Sequence, residues 1–106
     1  MLKHTVYKVK GSIRDSLIDA IREFSREHPR LYEKHSRYFN MLTRIASRIK
    51  PPVSICWRNQ MSKKTYMCVI VDNDTIIVDR FTPQEVMSTS KKIIVAEKEV
   101  DLLTTD

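Results

Sequence analysis

Residues 30–50, RLYEKHSRYFNMLTRIASRIK, are the stretch that decides how the rest of the chain is interpreted. They lie between Pro29 and the pair Pro51-Pro52, and their apolar residues recur at helical spacing. The face predicted to pack on the core holds Leu31, His35, Tyr38, Leu42, Ile45 and Ile49, widened by Tyr32, Phe39 and Ala46. We therefore predict one continuous amphipathic helix over this stretch.

A row of basic residues runs beside that apolar face. It consists of Arg30, Lys34, Arg37, Arg44 and Arg48, and Lys50 extends it. Glu33 is the only carboxylate in the stretch, and Met41 interrupts the row. A helix face of Arg and Lys complements the regular negative charge of a phosphate backbone. The row thus predicts a nucleic-acid-binding surface, and the alternative is an ordinary solvated helix face.

The composition supports a polyanionic partner. The 106 residues carry a net charge of +6, with twelve Lys/Arg against five Asp/Glu in residues 1–50 and seven against eight in residues 51–106. We predict a single α+β domain over 1–106, with a basic helical half, 1–50, and a sheet-rich half, 51–106.

No apolar run approaches the roughly 20 residues that span a bilayer, so we expect no membrane partner and a cytoplasmic or, in a eukaryote, nuclear protein.

The remaining elements follow in chain order. Residues 3–10 alternate as a strand, and Ser12 begins a helix that runs to about His28 and pairs with the basic helix as a helical hairpin. Residues 53–59, 65–72 and 75–81 predict a three-stranded antiparallel meander. Thr82, Pro83 and Glu85 begin a short helix reaching about Ser90, and residues 92–100 form a last strand or an extended arm.

Loop lengths set the expected strand register. A five-residue loop over 60–64 places Cys56 opposite Cys68, and a three-residue loop over 72–74 places Val69 opposite Ile77. A single layer of helices is then expected to cover one sheet face, formed by Val53, Ile55, Trp57, Met67, Val69, Val71, Ile77 and Phe81. The outer face holds Ser54, Cys56, Arg58, Tyr66, Cys68, Ile70, Ile76, Val78 and Arg80.

Two further hypotheses concern that outer face. Arg58, Tyr66 and Arg80 would form a row that holds a phosphate while the ring stacks on an unpaired base, with a solvated cross-strand trio as the alternative. Ile70, Ile76 and Val78 would offer an apolar surface to a protein partner or a second copy of the chain.

No catalytic or metal-binding motif is apparent. The single glycine argues against glycine-built phosphate loops, the histidines do not cluster, and no cofactor or metal is expected. His35 is expected to be a semi-buried, hydrogen-bonded side chain, and Trp57 a core residue. Cys56 and Cys68 are expected to be reduced thiols whose cross-strand position would allow a disulfide under oxidation.

The sequence accordingly favours a small non-enzymatic nucleic-acid-binding protein that contacts phosphates through the basic helix. The alternative is a protein-binding regulator or inhibitor, as a monomer or a homodimer, which applies the basic row and the outer sheet face to an acidic protein surface. A weaker alternative is a small ribonuclease that uses Arg58, Tyr66 and Arg80.

Overall fold

The computed structural model of the protein describes residues 5–58, 65–88 and 92–95. Its elements are β1 (Thr5–Lys8), α1 (Ile13–Glu27), α2 (Pro29–Lys34), α3 (Ser36–Arg44), a 3₁₀ turn (Ala46–Arg48), β2 (Val53–Trp57), β3 (Tyr66–Val71), β4 (Thr75–Phe81), α4 (Pro83–Ser88) and β5 (Lys92–Val95). Four strands form an antiparallel sheet in the order β1-β4-β3-β2, and β5 pairs in parallel with β2. The predicted α+β class, with helices packed on a sheet, is confirmed.

Helix α1 begins and ends where its sequence indicates. Gly11 takes a φ of 75°, a left-handed conformation that glycine adopts without strain, and the next residue caps the helix. The Ser12 hydroxyl accepts a hydrogen bond from the Asp15 backbone N–H at 3.1 Å. The face that packs on the core consists of Leu17, Ala20, Ile21 and Phe24. His28, which precedes Pro29, leaves the helical conformation as expected.

The second arm of the helical hairpin is not the continuous helix that we predicted. Helix α2 ends at Lys34, α3 begins at Ser36, and a 3₁₀ turn follows Ile45. His35 lies at the first break, where its side chain meets Trp57 of the sheet. The predicted apolar face is nevertheless the one that packs inward: Leu31 and Tyr32 are half-buried, and His35, Tyr38, Phe39, Leu42, Ile45 and Ala46 are buried.

The strand register was predicted correctly for one pair of strands and wrongly for the next. Cys56 lies opposite Cys68, as expected. Val69, however, pairs with Val78 and not with Ile77. The Asp72 N–H donates to the Thr75 carbonyl at 2.8 Å, so the loop has two residues where we expected three. Because side chains alternate along a strand, this shift of one residue turns every side chain of β4 to the opposite face.

The shift corrects several of the predicted sheet positions. Ile76 and Val78 are fully buried in the core beneath the helices, so they are not part of an outer apolar surface. Ile77 and Phe81 lie on the outer face instead. Arg80 is paired with Met67 and therefore points to the helix side. The predicted surface of Ile70, Ile76 and Val78 thus keeps only Ile70, which is half-buried.

The outer face has a small core of its own. Cys56, Cys68, Phe81 and Val86 are buried there, and Tyr66, Ile70 and Ile77 pack against them. Val86 belongs to α4, which adds cover on the side of the sheet away from α1. That helix starts with the predicted reciprocal cap: the Thr82 N–H donates to Glu85 Oε1 at 2.9 Å, and the Glu85 N–H donates to Thr82 Oγ1 at 3.2 Å.

A disulfide joins β2 to β3 within this outer core. It links Cys56 and Cys68, whose Cα atoms are 4.2 Å apart and whose residues are 1% exposed. The predicted register places the two cysteines opposite each other, as observed. We expected reduced thiols, however, and the structure has a disulfide instead.

Strand β5 lies at the other edge of β2, where Ile55 is opposite Ile93. The segment predicted as a last strand or an extended arm is therefore a strand over Lys92–Val95. The predicted 60–64 loop, the end of α4 beyond Ser88 and residues 96–100 lie outside the described residues.

Candidate nucleic-acid interface

The six predicted phosphate-contacting residues are all exposed. They follow one another along the second arm of the hairpin, with Arg30 and Lys34 on α2, Arg37 and Arg44 on α3, Arg48 in the 3₁₀ turn and Lys50 just after it. Met41, which interrupts the row in sequence, is fully buried. We call these six residues the basic row. They cover the solvent side of the segments whose opposite side is in the core.

His35 lies beneath the basic row and joins it to the sheet. Trp57 Nε1–H donates to His35 Nδ1 at 3.0 Å, and both residues are buried. Since an indole N–H can only donate, His35 Nδ1 is unprotonated and Nε2 carries the hydrogen of the neutral imidazole. The Trp57 ring also stacks on Tyr38, with centroids 5.0 Å apart, and meets Phe39 edge-on at 5.3 Å. The predicted roles of His35 and Trp57 are therefore confirmed.

The surroundings of His35 lower its pKa. The pKa of His35 is lowered to about 4; burial is the largest cause, and the positive charges of Lys34 and Arg80 act in the same direction. His35 is consequently neutral at physiological pH. Arg80 of β4 and Lys34 of α2 thus act on the same imidazole.

We expect His35 to make the protein less stable in acid. Its pKa is below the ordinary 6.5, so the unfolded chain binds its proton first, and stability falls as the pH drops from about 6.5 towards 4. The loss should approach roughly 2–3 kcal/mol. His35→Gln keeps an acceptor for Trp57 but does not titrate, so urea unfolding of this variant across the pH range should lack that part of the loss. His28→Gln, at an exposed position, should retain it; equal pH profiles for the parent protein and His35→Gln would contradict the assignment.

Arg80 therefore belongs to a different cluster from the one we predicted. Together with α2 it lines an open depression of about 490 Å³ on the helix side of the sheet. Its lining residues are His28, Pro29, Arg30, Leu31, Lys34 and Arg80. The sequence pattern missed this grouping because it depends on the register of β4. The signal that could have revealed it is the tight-turn preference of Asn73-Asp74, which permits a two-residue loop.

The predicted row of Arg58, Tyr66 and Arg80 is not formed. The Arg58 guanidinium lies over the Tyr66 ring, 5.4 Å from its centroid, as the register of β2 and β3 suggests. Phe81, and not Arg80, lies opposite Tyr66. The remaining pair keeps a cation–π contact but lacks the second guanidinium that would have completed a phosphate clamp.

A separate contact fixes the edge of the sheet to α1. The Tyr7 hydroxyl donates to Glu27 Oε1 at 3.0 Å. Burial raises the pKa of Tyr7 well above its ordinary value, and the hydrogen bond and negative charge of Glu27 add to the increase. Tyr7 therefore remains a neutral donor, and this contact is structural.

Neither a metal site nor a membrane span emerges from the described parts of the chain. Among residues 5–58, 65–88 and 92–95, no three His, Cys, Asp or Glu side chains gather as metal ligands would. Within the same residues, no helix is both long and apolar enough to cross a bilayer.

Comparison with known proteins identifies no relative: no family model matches the chain, and no curated protein or solved structure is significantly similar to it. A function must therefore be argued from the residues of this chain and their geometry.

Proposed function

We propose that the protein binds nucleic acid by contacting its phosphates with the basic row. The observation that carries this proposal is the exposure of all six basic side chains along consecutive helical segments whose opposite side is buried. Four of the six are arginines, which can grip a phosphate with two parallel hydrogen bonds. Such a partner implies a cytoplasmic or nuclear protein.

The same geometry argues against direct reading of a base sequence. Major-groove recognition uses side chains such as Asn, Gln and Arg in bidentate contact with base edges, usually from a helix long enough to lie in the groove. Here the arm is divided into α2, α3 and a 3₁₀ turn, and Asn40 is the only Asn or Gln in residues 30–50. We therefore propose backbone contacts with little dependence on sequence.

The test is charge reversal within and outside the basic row. In the first variant, Arg37, Arg44 and Arg48 become Glu; in the matched control, Arg14, Arg22 and Arg26 of α1 become Glu. Both variants change the net charge equally at exposed helical positions. The three arginines of α1 lie outside the basic row, where they pair with Asp15, Asp19 and Glu23. Binding to labelled RNA and DNA is measured across a salt series, and thermal unfolding confirms that both variants fold.

We expect only the first variant to lose affinity specifically. Each phosphate contact contributes about 0.7–0.9 to the slope of log K against log salt, so the loss of three contacts should reduce the slope by about 2–3. Equal weakening in both variants would show that the loss of affinity depends only on net charge and not on the basic row. Binding that neither variant alters, or no binding by the parent protein, would end the proposal.

Each of the two alternative functions loses part of the surface on which it was based. The apolar patch suggested for a protein partner or homodimer has Ile76 and Val78 in the core. The ribonuclease hypothesis required Arg58, Tyr66 and Arg80 in one row, and β4 turns Arg80 to the other face. We therefore advance no second function.

A further inference from the structure

The depression beside α2 has an unusual concentration of one charge. Arg30 and Lys34 are four residues apart on α2, so they lie on the same side of that helix, and Arg80 approaches from β4. None of the described residues that line it is a carboxylate. The lowering of the His35 pKa by both Lys34 and Arg80 supports the same convergence of charge from two elements.

A second depression differs in that carboxylates pair with part of its positive charge. It lies between β1 and α1, has a volume of about 630 Å³ and includes Lys8, Lys10, Arg22 and Arg26 in its lining. There, however, Arg22 pairs with Asp19 at 3.6 Å and Arg26 with Glu23 at 2.6 Å. The larger depression thus has two carboxylates among its four cations, whereas the smaller one, beside α2, has three cations and no carboxylate in its lining and is the better site for an anion.

The depression beside α2 also has apolar and aromatic walls. Pro29 and Leu31 line it, and His28 stands at its edge with its ring against Phe24, the centroids being 4.9 Å apart. That contact orients the exposed imidazole, whose ring could stack on a base. The volume falls within the roughly 300–1,000 Å³ that is common for small-molecule sites. Three cations beside apolar walls match a phosphate that carries a sugar and a base.

We propose that this depression binds one unpaired nucleotide of a single strand, with its phosphate between Arg30, Lys34 and Arg80. Its base and sugar lie against His28, Pro29 and Leu31. This inference rests on the proposed function and narrows it to single-stranded nucleic acid, because the bases of a duplex are stacked inside the helix and cannot enter such a site. The basic row then holds the phosphates of the neighbouring nucleotides.

The test uses small probes and a matched pair of variants. Adenosine 5′-monophosphate, adenosine and inorganic phosphate are titrated separately, and the Trp57 indole N–H resonance, one hydrogen bond away from His35, reports binding by NMR. A short labelled oligonucleotide is compared with its duplex. Arg80→Gln removes the β4 cation of the depression, and Arg80→Lys keeps it. Arg58→Gln removes an equal charge from the opposite face at the same end of the sheet.

We expect the monophosphate to bind more tightly than adenosine or phosphate alone, and the single strand more tightly than the duplex. Arg80→Gln should weaken monophosphate binding about tenfold or more, Arg80→Lys should restore part of the loss, and Arg58→Gln should have little effect. Phosphate binding as tightly as the monophosphate would overturn the nucleotide assignment, as would equal effects of Arg80→Gln and Arg58→Gln. If the nucleotide assignment is wrong but the basic row does bind phosphates, charge reversal in the basic row still weakens oligonucleotide binding. If the proposed function is wrong, charge reversal in the basic row leaves oligonucleotide binding unchanged.

Discussion

Replacing Trp57 with alanine is expected to lower the free energy of unfolding by about 3–5 kcal/mol, the largest effect that we predict for a single substitution. Trp57 is fully buried at the point where the hairpin meets the sheet. Its ring stacks on Tyr38 and meets Phe39 edge-on, and its N–H donates to His35. Alanine would leave a cavity between the two layers and deprive a buried histidine of its donor. Urea unfolding followed by circular dichroism measures the loss.

Two variants separate the components of that effect. Trp57→Phe keeps most of the ring contacts but removes the donor to His35, so we expect a smaller loss of about 1–3 kcal/mol. Val6→Ala is the control, because Val6 is 55% exposed and its truncation should change stability by less than about 0.5 kcal/mol. The proposed role of Trp57 would be wrong if Trp57→Ala cost no more than Val6→Ala.

Reduction of the Cys56–Cys68 disulfide is expected to destabilise the protein by about 3 kcal/mol. The two cysteines are 12 residues apart, and a cross-link that closes a loop of this length removes a large part of the conformational freedom of the unfolded chain. In the folded protein both cysteines already lie opposite each other in the sheet, so reduction changes the native packing little. The unfolded state should therefore account for most of the difference.

The measurement is urea unfolding with and without a reducing agent. Thiol titration of the denatured protein before each series establishes whether the bond is present. The double variant Cys56→Ala, Cys68→Ala is the control, since its unfolding midpoint should not respond to the reductant. Oxidised and reduced parent protein with equal midpoints would show that the bond contributes nothing to stability. Binding of the oligonucleotide should be similar in both forms, because the disulfide is on the outer face and the basic row is on the other side of the sheet.

Local signals in the sequence predicted where α1 and α4 begin. Gly11 and Ser12 mark the start of α1, and Thr82, Pro83 and Glu85 mark the start of α4. In each case the deciding contacts involve residues within a few positions of one another, so they depend on little beyond the sequence itself. The register of β2 and β3 was also predictable, because the favoured loop length placed both core faces on the same side.

The two main errors concern the break at His35 and the register of β4. The break at His35 coincides with its contact to Trp57, which is 22 residues away and comes close to His35 when the hairpin packs on the sheet. In β4 the alternation is ambiguous, because Ile76 and Val78 on one face are as apolar as Ile77 and Phe81 on the other. Either register would bury an apolar face, and the length of one turn decided between them.

The candidate site also has one part that was predictable from the sequence and one that was not. The exposure of the six residues of the basic row was predictable, because the apolar residues between them supply the side that packs inward. The grouping of Arg80 with Arg30 and Lys34 was not, because it combines residues from β4 and α2 whose proximity depends on that register.

The edge strand β1 gives the basic residues a further role. Strand β1 ends the described sheet on one side, and Val6 on it is the one large apolar side chain that is exposed among the described residues. An uncovered strand edge offers backbone hydrogen-bonding groups to other chains, and two such edges can pair and begin aggregation. Lys8, in β1, and Lys10 just beyond it are exposed and positively charged. Repulsion between these lysines on two approaching copies would oppose that pairing, so we expect positive charge at this edge to disfavour self-aggregation.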